Sequence, residues 1–226
     1  MKKINKKSIM TILLVIGISA SMMAEKPFEG VINYKISYPD SKFTEAQLAM
    51  FPKVMTISVK GSKARTEMNV GGGTTVEITD YVAKSKIALL NMMGQKYAIK
   101  QTAEEIEKEN ADQPKGEVNI TNETKNIAGY TCKKAIVTTN DDGVKSTLEV
   151  WFTEELGGKD QNFDNPLYKD INGVLLEFSI ITPQATMKFS ATSIEKKSVS
   201  SKDFDIPADY TLTTQEELRS KFGGGE

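Results

Sequence analysis

From Pro27 onward, apolar and polar residues alternate along most of the chain. Phe28, Ile32, Tyr34, Ile36 and Tyr38 fall on even positions, with Glu29, Asn33, Lys35 and Ser37 between them. A period of two residues is that of a strand with one face buried. The same alternation runs through Met55, Ile57 and Val59, and again through Ala64, Thr66, Met68 and Val70. Gly61-Ser62 between these two runs predicts a tight hairpin turn. Further strands are predicted over 74–82, 85–92, 95–101, 118–125, 130–139, 145–153, 173–181 and 185–197, which makes eleven in all. Short turns such as Asn91 to Gly94 and Asn140 to Gly143 require antiparallel neighbours, because a parallel pair needs a long crossover. Runs 145–153 and 173–181 are apolar on both faces and are expected mid-sheet.

Helical signals are few. Thr44 to Phe51 predicts a short helix capped by Ser41 or Thr44, with Leu48 and Phe51 facing inward. Thr102 to Asn110 is rich in helix formers but nearly lacks an apolar face, so it reads as a solvated helix or a loop. Residues 154–170 form an irregular stretch anchored by Leu156, Phe163, Leu167 and Tyr168.

Residues 1–24 have a different character. Lys2, Lys3, Lys6 and Lys7 precede an apolar run from Ile9 to Ile18, then small residues up to Ala24. This is the layout of a secretory signal peptide, and the run is shorter than the ~20 residues a spanning helix needs. The expected product is periplasmic or secreted, without a transmembrane anchor after cleavage, and is not a lipoprotein because no cysteine follows the apolar run. The division read from the sequence is 1–24 signal peptide, 25–213 β domain and 214–226 flexible tail.

Composition removes several chemistries. The 226-residue chain has no histidine, so there is no Ser-His-Asp triad and no imidazole ligand for zinc. One cysteine, Cys132, cannot close an intrachain disulfide. The formal charge of −1 becomes −5 once the four lysines of the leader are lost, which gives no footprint for nucleic acid. Asp160, Asn162 and Asp164 have the spacing of a calcium loop, but Asn165 and Ile171 stand where that loop needs Gly and Glu. The adjacent pair Glu154-Glu155 cannot converge on one substrate from a single strand or helix. No cofactor, metal or catalytic residue is assigned.

Five segments, in order, carry a resemblance. They are Phe28 to Tyr34, Lys125 to Ala135, Leu148 to Thr153, Gly173 to Phe178 and Phe204 to Tyr210. Together they resemble the exported bacterial domain-of-unknown-function family numbered forty-four-twelve, and are similar to the GLPGLI-type proteins. The resemblance implies a fold like that of the LolA-like lipoprotein carriers, in which a curved antiparallel sheet wraps partly around short helices. It implies no activity and no cofactor.

The expected architecture is therefore mainly β: one curved open half-barrel of about eleven strands, with one or two short helices on its concave side. The expected function is non-enzymatic, with a lipid or other apolar ligand held on the concave face, or an envelope protein partner. The lining set read from the sequence is Leu48, Phe51, Met55, Ile57, Met92, Tyr97, Trp151, Leu176, Phe178 and Phe189, with Met93 and Met187 beside it. The alternative is that these side chains fill a solid core and the domain only displays a surface.

Overall fold

The structure is a computed structural model. It describes residues 27–222 apart from 40, 72, 93, 142, 183 and 184, so the leader, Met93 and the last four residues lie outside the described part. Twelve strands form one sheet: β1 Gly30–Ser37, β2 Val54–Lys60, β3 Lys63–Val70, β4 Gly73–Asp80, β5 Ser85–Met92, β6 Gln95–Gln101, β7 Gly116–Ile127, β8 Tyr130–Asp141, β9 Val144–Thr153, β10 Val174–Ile181, β11 Thr186–Lys196 and β12 Thr211–Thr213. The order across the sheet is β12-β6-β5-β4-β3-β2-β1-β11-β10-β9-β8-β7, and the sheet does not close into a barrel. Three short helices accompany it: α1 Glu45–Leu48, α2 Ala103–Asn110 and α3 Gln215–Phe222.

All eleven predicted strands are present, and β9 and β10 lie inside the sheet as their two-faced apolarity requires. Two antiparallel meanders, β1–β6 and β7–β11, meet where β1 pairs with β11. The alternation in β1 is realised directly, with Gly30, Ile32, Tyr34 and Ile36 buried and their odd-numbered neighbours less so. Gly61 closes the β2–β3 hairpin at φ 60°, a conformation in which glycine has no Cβ to clash.

The core lies in four clusters. The largest joins β1, β2 and β11 to β10 through Tyr34, Met55, Leu176 and Phe189, with Cys132 and Trp151 at its far side. A second packs Val137, Val150, Phe152 and Leu175 against Tyr168 and Ile171 of the irregular stretch. A third covers Val76, Ile78, Leu89 and Ala98 with Val199 and Phe204. A fourth packs Tyr97 and Ile99 against Leu218 of α3.

Two elements stand beside those expected. A twelfth strand, β12, pairs in parallel with β6, the sole parallel pair among the described strands; three residues are too few to show a period. The stretch from 214, read as a flexible tail, carries α3, whose Leu218 is buried because both faces of β6 are apolar and need cover. The short helices add little to the core: α1 buries no residue and α2 only Ile106. The covering is done by the irregular segments around Tyr168 and around Phe204.

The stretch between β9 and β10 is folded by hydrogen bonds rather than by repeating structure. Asn162 Nδ2 donates to Ile171 O and Gly173 O, both at 2.9 Å. The Tyr168 hydroxyl donates to Ser179 O. Lys86 ties the stretch to the sheet, with Asp164 and Glu77 each 2.8 Å away. Two members of the incomplete calcium loop are thus engaged in holding backbone and charge.

Candidate functional site

The ten residues read as a lining set do not form one surface. Met55, Trp151, Leu176 and Phe189 are buried in the largest cluster, and Ile57 and Phe178 pack against it. Phe178 and Phe189 are stacked at 4.7 Å and 4° between planes, with Tyr34 edge-on to Phe178 at 6.2 Å. Tyr97 belongs to the separate cluster under α3, because it lies on the opposite face of β6 from Ala98. Leu48 and Phe51 sit half-buried between β1 and β2, where Phe51 meets Tyr38 and Phe43 at 5.4 and 4.9 Å. Met92 ends β5, paired with Gln95.

Trp151 lies under a charged cover. It faces Lys134 across β8 and Glu177 across β10. The Lys125 and Lys134 ammonium groups stand 4.3 and 5.8 Å from its ring centroid, within cation–π range. Glu177 accepts from Lys125 at 2.9 Å and pairs with Lys188 at 3.1 Å, while Lys134 pairs with Glu149 at 3.1 Å. Burial pushes the Glu177 carboxyl upward, but its bonds to the two lysines outweigh that and hold it below the ordinary carboxylate range.

Among the clefts on the described surface, three are considered for a site. The first, about 450 Å³, lies between α2 and the segment 163–169 and is lined by Lys84, Ala103, Ile106, Glu107, Asn110, Ala111, Lys115, Phe163, Pro166 and Lys169. The second, about 730 Å³, lies between the β2–β3 turn and the chain around Pro27, with Phe28, Tyr130, Glu155 and Lys196 in its wall. Its polar groups answer one another: Glu29 accepts from Lys60 Nζ at 2.9 Å and Val199 N at 2.8 Å, and the lysine also donates to Val199 O. The third, about 260 Å³, lies beside Met50 and Phe51, so among the set's described side chains Phe51 alone lines one of these three clefts.

Glu154, one of the adjacent carboxylates, is exposed and pairs with Lys133 at 3.1 Å. Among the described residues no group of three His, Cys, Asp or Glu side chains is arranged to hold a metal ion. Lys84, Lys115 and Lys169 of the first cleft were not legible as a set, because turn, linker and loop bring them together from distant parts of the chain.

Fold and topology define an open, single-sheet β domain. The chain belongs to the family described as "N-glycanase peptide, N-terminal domain", whose pattern matches residues 32–205. A solved structure described as "Structure of PNGF-II in C2 space group" is similar, with a TM-score of 0.54 and 16% identity over 87% of this chain and 33% of that one. At that identity the likeness is one of fold. The chain spans about a third of the length of that solved protein. No curated protein matches the sequence.

Proposed function

We propose that the chain is a non-catalytic, exported interaction domain associated with N-glycanase chemistry, with a packed rather than hollow interior. Membership of the N-glycanase N-terminal-domain family supports the association, since a domain of this size is a third of the solved relative's chain. The observation that carries the packed interior is the stacking of Phe178 on Phe189 against Tyr34, where an acyl chain would have to lie. An apolar carrier of LolA-like kind needs empty space lined by that set, and the three clefts described above have Phe51 alone of its described side chains in their linings. The lack of histidine, and the engagement of Glu154 and Glu177 by lysines, support the non-catalytic reading. Export is supported by the basic and apolar order of residues 2–24, and the mature N-terminus proposed with it is Ser21 or Glu25.

The test is incubation of the purified mature chain with a denatured N-glycoprotein, followed by mass spectrometry of released glycan. The expected result is no release above a protein-free blank. Glycan release that survives repurification would overturn the non-catalytic reading.

A further inference from the structure

The cleft between α2 and segment 163–169 holds an unbalanced set of charges. Lys84, Lys115 and Lys169 converge on it with one carboxylate, Glu107, in the same lining. Lys84 has Asp160 at 3.9 Å, with both side chains more than half exposed, a pairing of little energetic weight. Among the described residues no carboxylate lies within ion-pair distance of Lys115 or Lys169. Ile106, Phe163 and Pro166 add apolar side chains to the same lining.

The walls are fixed although the ammonium groups are not. Lys84 sits at φ 50°, in the left-handed region that a residue with a Cβ avoids. Asp80 Oδ1 holds that turn by accepting from Val82 N and Ala83 N, each at 3.1 Å. Lys115 precedes Gly116, whose N–H donates to Pro166 O at 3.2 Å. A Cβ at position 116 would stand 2.1 Å from Leu167 O, so this close approach requires glycine. Asn110 Nδ2 donates to Asp164 O at 3.1 Å and ties α2 to the facing wall. Three like charges therefore line one cleft whose walls these contacts tie together, and their mutual repulsion favours a bound anion.

We propose that this cleft binds an acidic saccharide, a sugar ring bearing a carboxylate or sulfate. The acid group meets the lysines, which act as point charges without a fixed fork geometry. The apolar face of the ring lies on Phe163 and Pro166. An acyl chain in the same place would desolvate three ammonium groups without pairing them. A neutral sugar would leave their charge unanswered. The proposal goes beyond the interaction-domain reading and stands or falls separately from it.

The test is calorimetric titration of the mature chain at low salt with a chondroitin sulfate tetrasaccharide, a galacturonic acid trisaccharide, neutral chitotriose, a glutamate hexapeptide and sodium sulfate. Both acidic saccharides are expected to bind and the other three probes to bind at least roughly tenfold more weakly. The paired substitution K115Q/K169Q, at exposed positions that leave the fold intact by circular dichroism, is expected to weaken acidic saccharides roughly tenfold and to reduce the salt dependence. F163A is expected to weaken the saccharides but not free sulfate. Equal binding of the glutamate peptide or of sulfate would overturn the saccharide assignment. Equal binding of chitotriose, or unchanged affinity in K115Q/K169Q, would overturn the site.

Discussion

Leu176→Ala measures how full the largest cluster is. Leu176 is completely buried on β10, in the same cluster as Phe189, Met55 and Trp151. The substitution removes three carbon groups, at ~0.8 kcal/mol each, or about 2.4 kcal/mol. If roughly 40 Å³ stays unfilled, a cavity term of ~24 cal/mol per Å³ adds about 1 kcal/mol. The expected loss is about 3–4 kcal/mol. Urea unfolding followed by the emission of Trp151, the only tryptophan, gives the value from midpoint and slope. The slope should stay near that of the parent, since the same surface is exposed on unfolding. Val82→Ala, on a side chain 82% exposed, should change stability by less than about 0.5 kcal/mol. A loss below about 1 kcal/mol for Leu176→Ala would refute the packing argument, because a side chain bordering open space forfeits few contacts.

Three further outcomes are expected. Asn162→Ala should cost about 2–3 kcal/mol in urea unfolding by leaving the carbonyls of Ile171 and Gly173 without their donor, and added calcium should not change the thermal midpoint of the parent. Cys132 is fully buried and its thiol is pushed up to about 11, chiefly by burial, so iodoacetamide at mildly alkaline pH should label it only after unfolding. Because the Glu177 carboxyl is held below its ordinary range, it stabilises the fold above the unfolded carboxylate pKa, and this contribution is lost as pH falls through the depressed value. Glu177→Gln should therefore lower stability at neutral pH and flatten the acid limb of a stability–pH curve.

The strands were legible because a two-residue period repeated over long runs leaves little choice of conformation, as in Ile32, Tyr34 and Ile36. The cover was not legible. Val199 and Phe204 lie in a stretch without period, and Leu218 is the one buried apolar side chain among those described in α3, so neither announces the face it will protect. The apolar lining set mixed the largest cluster with Tyr97 of the cluster under α3 and a separate aromatic group around Phe51, because spacing within one strand does not fix which cluster its face joins. The lysine cleft depends on the loop that returns Phe163 and Pro166 to α2, a contact made by Asn110 and Gly116 with backbone carbonyls rather than by any sequence motif. The family membership was likewise not among the readings that the five segments suggested.

The packed interior is tested most directly by native mass spectrometry of the protein purified from its own host without detergent. The account predicts a single species at the mass of the mature polypeptide. A species carrying the added mass of a lipid, removed by organic extraction and restored by adding that lipid back, would contradict it.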